Sequence, residues 1–195
     1  ASVWRWTFTV RSFSISALGS ITYYVGITYV PAFLSSTGST SERVSLWLAT
    51  IAAVAVIIVT PLAGILSDRV GRKPVLVSLC LFSALLPAAM FSLMGGGSPV
   101  LALVGAVVLA CMAGGVSAVG AAATAEQFPG EGRVSGLALG ATSATAIFGG
   151  LTPYAAQLLL DRTGAPMAPG VMIAVVALCV LPVLLTMRET APGRS

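Results

Sequence analysis

Four charged side chains, Asp68, Arg69, Arg72 and Lys73, fall within six residues in the string Gly64-Ile65-Leu66-Ser67-Asp68-Arg69-Val70-Gly71-Arg72-Lys73-Pro74. One acid among three bases can form ion pairs and hold helix ends together, but it contains no nucleophile–base set for covalent chemistry. Val44 to Ser67 before the cluster and Pro74 to Ala125 after it carry no charge. Such a cluster cannot lie in hydrocarbon, so the string reads as a tight loop joining two membrane-spanning helices. Gly64 would let neighbouring helices approach closely, and Gly71 would let the chain turn sharply. Asp68 would pair with an arginine or face the positive N-terminus of another helix. Arg69, Arg72 and Lys73 would set topology and bridge to acids at the same membrane face.

A second set of residues suits binding. Ser16, Ser20, Tyr23 and Tyr24 fall within an arc of ~100° on a helix of 3.6 residues per turn, with Thr28 just beyond. A polar stripe on a membrane helix should face protein or a water-filled cavity, not lipid. A tyrosine face holds a quaternary ammonium by cation–π attraction, and the hydroxyls would bind a carboxylate. Interhelical packing or interfacial anchoring is the structural alternative for both tyrosines. Further on, Thr142, Gly149, Pro153 and Gln157 share a helix face, which makes Thr142 and Gln157 candidate polar contacts. Ala110, Gly114, Ala118 and Ala122, and Gly136 with Gly140, repeat at intervals of four, the spacing that packs membrane helices closely.

The elements that must position these residues follow from composition. The 195 residues are 57% hydrophobic and only 8% charged, with a mean hydropathy of +1.00. A soluble domain carries about a quarter charged residues, so a multi-spanning, all-α membrane protein is predicted. Charge-free runs of ~20 residues mark the spans, which lie near Ser12–Leu34, Val44–Leu66, Pro74–Met94, Pro99–Ala123, Val134–Leu160 and Pro169–Met187. Gly95-Gly96-Gly97-Ser98-Pro99 divides one long uncharged stretch into a hairpin. Gly149-Gly150 with Pro153 is expected to kink or loosen the fifth span. Trp4-Arg5-Trp6 reads as an interfacial anchor.

With the N-terminus placed in the cytoplasm, the inside segments hold Arg5, Arg11, Arg69, Arg72, Lys73, Arg133, Arg188 and Arg194. The outside loops hold only Arg43 and Arg162. That bias, eight against two, puts both termini in the cytoplasm. No charged residue falls near the middle of a span, so a titratable group for proton coupling must come from elsewhere.

Several functions are excluded. Ten scattered cations make no basic face for nucleic acid. There is no histidine, no metal-ligand spacing around Cys80, Cys111 and Cys179, and no P-loop, so no metal, cofactor, enzyme activity or ATP-driven transport is expected. The cysteines read as small apolar packing residues. No short apolar region with a cleavage site opens the chain, so no signal peptide is expected.

The loop string resembles the Gly-x-x-x-Asp-Arg-x-Gly-Arg-Lys signature of the major facilitator superfamily of transporters. Ala125-Glu126-Gln127-Phe128-Pro129, with Arg133 and Gly136, resembles the stretch between the fourth and fifth spans of that family's C-terminal half. It departs at Gln127, where a hydrophobe is usual, and at Gly130-Glu131-Gly132. Tyr23-Tyr24, Tyr29-Val30-Pro31-Ala32-Phe33-Leu34, Ile147-Phe148-Gly149-Gly150-Leu151-Thr152-Pro153 and Met187-Arg188-Glu189-Thr190 look like the metabolite:proton symporter branch. Members of that branch move osmolytes such as proline and glycine betaine, or organic acids such as citrate, 2-oxoglutarate and shikimate. The tyrosine–proline segment and Gly-Leu-Thr-Pro lean toward the osmolyte members.

The resemblance implies that residues 1–195 form one six-helix half-bundle in a plasma (inner) membrane. The N-terminal six-helix half would be its partner, and the first and fourth spans would line a pathway for a small solute and protons. It implies a cytoplasmic gating loop of Gly64, Asp68, Arg69, Gly71, Arg72 and Lys73. Glu126 would be the partner of Arg69 or Arg72, and Arg133 the partner of Asp68. Candidate lining residues are Tyr23, Tyr24, Ser20, Thr28, Thr142 and Gln157. The chain reads as a fragment or as a half-protein, and the rival to a transporter is a truncated half that only folds and pairs.

Overall fold

The computed structural model describes residues 2–37, 41–127 and 133–190, with side chains for all of these except 2–6, 127 and 133–137. Every regular element among them is a helix. Helix α1 (Ser2–Tyr23) runs through a π-turn (Tyr24–Thr28) into the short α2 (Val30–Ser36). Next come α3 (Glu42–Val70), α4 (Arg72–Met94) and α5 (Pro99–Gln127). Helix α6 (Arg133–Thr145) passes through a second π-turn (Ala146–Gly150) into α7 (Thr152–Thr163), and α8 (Ala168–Leu185) follows.

Four helices, α3, α4, α5 and α8, are each long and apolar enough to cross a bilayer. The α1–α2 pair, bent by 44°, makes a fifth if the two helices are taken as one span. Where the sequence predicts a single fifth run, α6 and α7 are separate helices of 13 and 12 residues. Each is too short to cross alone. At the Gly149-Gly150-Pro153 signal the helix is interrupted by the second π-turn.

The break in the first span was not anticipated, although Pro31 carries the same signal. Proline has no N–H and its ring crowds the carbonyl four residues back. At the first break the chain widens, and the Tyr29 N–H donates to the Tyr24 carbonyl, five residues back, at 2.9 Å.

The basic string also differs from expectation. Helix α3 continues to Val70 and α4 begins at Arg72, so Gly71 alone is the joint. Asp68 and Arg69 therefore ride on the last turn of α3, and Arg72 and Lys73 on the first turn of α4. Gly71 has φ 124°, a backbone region that side chains rarely allow. The close helix approach expected at Gly64 is not found, because nothing lies within 4 Å of where its Cβ would be.

Helix α5 is the centre of the bundle. Gly114 and Gly115 turn toward Val56 of α3 and Leu79 of α4, and Gly120 meets Ile15 of α1. Small residues there let three helices close on one, although of these three glycines only Gly114 belongs to the series read at intervals of four. Helix α4 packs most extensively on α8, α3 on α5, and α1 on α6. Two apolar clusters fill the interior. One gathers Phe33, Phe91, Ile21 and Leu109, with the rings of Phe33 and Phe91 edge to face at 5.0 Å. The other joins Leu18, Leu76, Val116 and Leu184 toward the Gly71 end. Helix α3 turns Leu46, Trp47, Ile57, Ile58 and Leu62 outward, which suits a face set against lipid or another apolar bundle.

Candidate functional site

Two groups of polar residues are organised by this packing. The first surrounds Arg72, whose side chain is only 9% exposed. Its Nη2 lies 2.6 Å from Asp68 Oδ1 and 3.2 Å from Glu126 Oε1. Its Nε donates to Glu126 Oε2 at 3.3 Å, and its Nη1 donates to Ser67 Oγ. The planar guanidinium fork thus grips Glu126 with two donors, a geometry lysine cannot reproduce. Of the two partners foreseen for Glu126, Arg72 makes the contact. Arg69 is exposed and makes no ion pair among the described residues. The partner foreseen for Asp68, the Arg133 side chain, lies outside the described residues, as do the side chains of Trp4, Arg5 and Trp6. Asp68 instead pairs with Arg72, four residues along.

The acid that answers the positive N-terminus of α4 is Glu189. Its Oε1 accepts from the Arg72 N–H at 2.7 Å and its Oε2 from the Lys73 N–H at 3.2 Å. These are two of the donors that a helix start leaves without an intrahelical partner, and a carboxylate there is favoured by the helix dipole. Thr190 Oγ1 donates to Glu126 Oε2 at 2.7 Å, and Arg11 Nη2 donates to the Thr186 carbonyl at 2.8 Å. The segment after α8 therefore ties α1, α4 and α5 together. Sequence reasoning missed Ser67, Glu189 and Thr190 as members of this hub. The available signal was sign alone, since Glu189 is an acid at the end where the basic residues gather.

Gly71 and Glu189 fit together closely. A Cβ at position 71 would come within 2.5 Å of Glu189 Oε2. Glu189→Ala is expected to cost ~1 kcal/mol in denaturant unfolding, and Gly71→Ala at least ~1 kcal/mol from its backbone alone. Combined, they should cost less than their sum, because the new methyl and the carboxylate compete for one space. Strict additivity would remove this packing account.

The second group lines a groove. Helices α1, α5 and α6 bound a cleft of about 350 Å³ carrying the hydroxyls of Ser16, Ser20, Ser117, Thr124 and Thr145. It continues into a hollow of about 560 Å³ lined by Tyr24, Thr142 and Gly150, the two sharing Ala141 and Thr145. No charged residue among the described ones lines either part. Ser20 and Thr145 hydroxyls lie 3.2 Å apart across the α1–α6 contact. The hydroxyls of Ser16, Ser117 and Tyr24 bond no described residue, so they face the groove with their hydrogen-bonding capacity unused.

The sequence-predicted lining residues divide. Ser20, Tyr24 and Thr142 meet at the groove. Tyr23 and Thr28 are exposed and do not line it, although the Tyr23 ring meets Tyr24 edge-on at 5.7 Å. Gln157 is engaged elsewhere. It accepts from Tyr29 OH at 2.8 Å and donates to Asp161 Oδ1 at 2.8 Å, tying α7 to the start of α2. Ser117, Thr124 and Thr145 were missed; each is a hydroxyl in an apolar run whose partner surface only the packing supplies. Among the described residues no three His, Cys, Asp or Glu side chains gather as a metal site.

Apolar helices built to cross a bilayer, a hydroxyl-lined groove and an ion-pair hub at helix ends define a multi-pass membrane protein of the transporter class. The description "Major Facilitator Superfamily" matches residues 12–195, and the chain belongs to that superfamily. It is 33% identical over 190 residues to the proline/betaine transporter of Escherichia coli K12, covering 96% of this chain and 37% of the relative. It is 27% identical over 176 residues to the citrate-proton symporter of Klebsiella pneumoniae, covering 90% and 40%. The ectoine/proline transporter of Corynebacterium glutamicum is 30% identical over 175 residues, covering 87% and 34%. The chain thus spans well under half the length of these relatives. The family and these relatives are transporters, not enzymes.

Proposed function

We propose that this chain is one six-helix half-bundle, corresponding to the C-terminal half, of a secondary transporter for a small polar metabolite. In this reading α1–α2 and α6–α7 are the first and fifth spans. The Arg72 hub and both termini face the cytoplasm of a plasma (inner) membrane, and an N-terminal six-helix half closes over the groove. Solute moves by alternating access between the halves, with proton symport, and osmolytes such as proline or betaine are favoured over organic acids. The hub would hold the cytoplasmic helix ends together in one access state.

The observation that carries this reading is the groove: unused hydroxyls and one tyrosine face, with no charged lining residue. Such a surface suits a solute of zero net charge better than a multivalent anion, whose charges would need cationic partners. Kinship to osmolyte transporters supports the same choice. The groove has no carboxylate or histidine to carry a proton, so that group is assigned to the partner half.

The test is uptake of labelled proline, glycine betaine, ectoine, citrate and 2-oxoglutarate by vesicles holding the full-length protein under an imposed proton gradient. Gradient-driven accumulation of the zwitterions is expected, abolished by a protonophore. Citrate or 2-oxoglutarate accumulation alone would replace the osmolyte reading with an organic-acid one. Saturable flux of none of the five would leave a half-bundle that only folds and pairs.

A further inference from the structure

The two helix breaks match residue for residue. In each, a five-residue π-turn is followed by one joint residue and then by a helix whose second residue is proline: Tyr24–Thr28, Tyr29, Val30-Pro31, and Ala146–Gly150, Leu151, Thr152-Pro153. Contacts between the two chain segments rise in step, from Ser12 on Gly140 through Ser20 on Thr145 to Tyr29 on Gln157. The two broken helices therefore run parallel with their π-turns side by side. At that level Gly149 lies against the ring of Tyr24. A Cβ built on Gly149 would stand 2.7 Å from Tyr24 Cε2 and 3.1 Å from Cδ2 and Cζ. The ring occupies the space that any larger residue at 149 would need.

Tyr24 is the one aromatic among the described residues lining the groove. It is half-buried, and its hydroxyl bonds no described residue. Partly buried tyrosine hydroxyls ordinarily find a partner, and here the open direction is the groove. With Gly149 beneath the ring and the edge of Tyr23 beside it, the ring is seated on its α6 side.

We propose that Gly149 is the positioning residue that seats the Tyr24 ring, and that this seat sets the groove's preference among solutes. The inference rests on the groove being the solute path. A methyl at 149 displaces the ring from α6 into the hollow shared with Thr142, weakening contact with a bound solute and narrowing access.

Two measurements on the full-length protein test it, both with Gly26→Ala as control. Gly26 is the glycine of the other π-turn, one position earlier in it, and its Cβ would meet Leu109 only at an ordinary 3.7 Å. In the first, Thr142→Cys is placed in a background stripped of every native cysteine, Cys80, Cys111 and Cys179 among them, and labelling by a small maleimide is timed without any solute. Gly149→Ala should slow labelling several-fold while Gly26→Ala leaves it unchanged. Equal rates would overturn the seat.

The second measures KM and maximal rate for whichever of the five labelled solutes the wild type carries best. Gly149→Ala should raise KM about tenfold for a quaternary ammonium, with maximal rate and membrane amount kept. Gly149→Ala/Tyr24→Leu should be no worse than Tyr24→Leu alone. Fully additive losses, or an unchanged KM beside slowed labelling, would overturn the role in selectivity. A wild type that carries no solute defeats the transport reading instead, and the labelling rates then decide the seat by themselves.

Discussion

Arg72→Leu is expected to lower the stability of the protein by ~3 kcal/mol and to leave membrane levels clearly reduced. The reason is what stays behind. Leucine removes every donor that Glu126, Asp68 and Ser67 share, and Ser67 is fully buried while the Glu126 side chain is only 29% exposed. Two carboxylates would then face each other across a partly dry helix junction with no cation between them. Asp68 is 53% exposed and can turn to water, so it adds little to the loss. Arg72→Lys should recover about half, since it restores charge without the fork that reaches both oxygens of Glu126. Asp68→Asn should be mild in stability, because that side chain is already 53% exposed. Thermal unfolding of the purified protein, followed by intrinsic fluorescence, measures the ranking. If Arg72→Leu unfolds at the wild-type temperature, the hub is not a stabilising element.

Gly170→Ala is the second large effect, expected at ~2–3 kcal/mol for one added methyl group. A Cβ on Gly170 would stand 2.4 Å from the nitrogen of Ala88 and the carbonyl carbon of Pro87. Those are backbone atoms in the middle of α4, so no side-chain rotation relieves the contact, and α4 and α8 must move apart. This is the most extensive helix pair in the fold, and separation would also strain the contact in which Cys80 Sγ donates to the Ala177 carbonyl at 3.1 Å. Gly19→Ala gives the comparison. Nothing lies within 4 Å of its Cβ position, so the helix preference for alanine should leave it neutral or more stable by up to ~1 kcal/mol. Equal unfolding temperatures for the two variants would mean that α4 and α8 are not held at this distance.

The chain's hydrophobic runs, read in order, place the helices, because each apolar run in a bilayer has little choice but to be helical. The sharp joint at Gly71 and the interruption at Gly149 to Pro153 are local backbone matters, and local residue types announce them. Local signals also contain the break at Pro31, which the apolar run around it obscured. The ends of α3 and α4 were harder, since charge suggested a loop where a single glycine suffices.

Pairing is different in kind. Glu126 stands 54 residues from Arg72 and Glu189 stands 117 from it, and no periodicity connects positions so far apart. Arg69 and Arg72 look equivalent along the chain. Only the turn at Gly71 puts one inside and leaves the other exposed. Tyr23 and Tyr24 are equally equivalent as neighbours on a helix, until α5 and α6 close around one side of α1 and Gly149 receives one ring. The sequence by itself determined a membrane-spanning, all-helical chain with its cations gathered at helix ends. Tertiary structure alone decided which arginine anchors the hub, which acid caps α4 and which tyrosine lines the groove. Hydrophobicity and backbone preference act within a few residues, whereas these choices depend on which helix faces pack together.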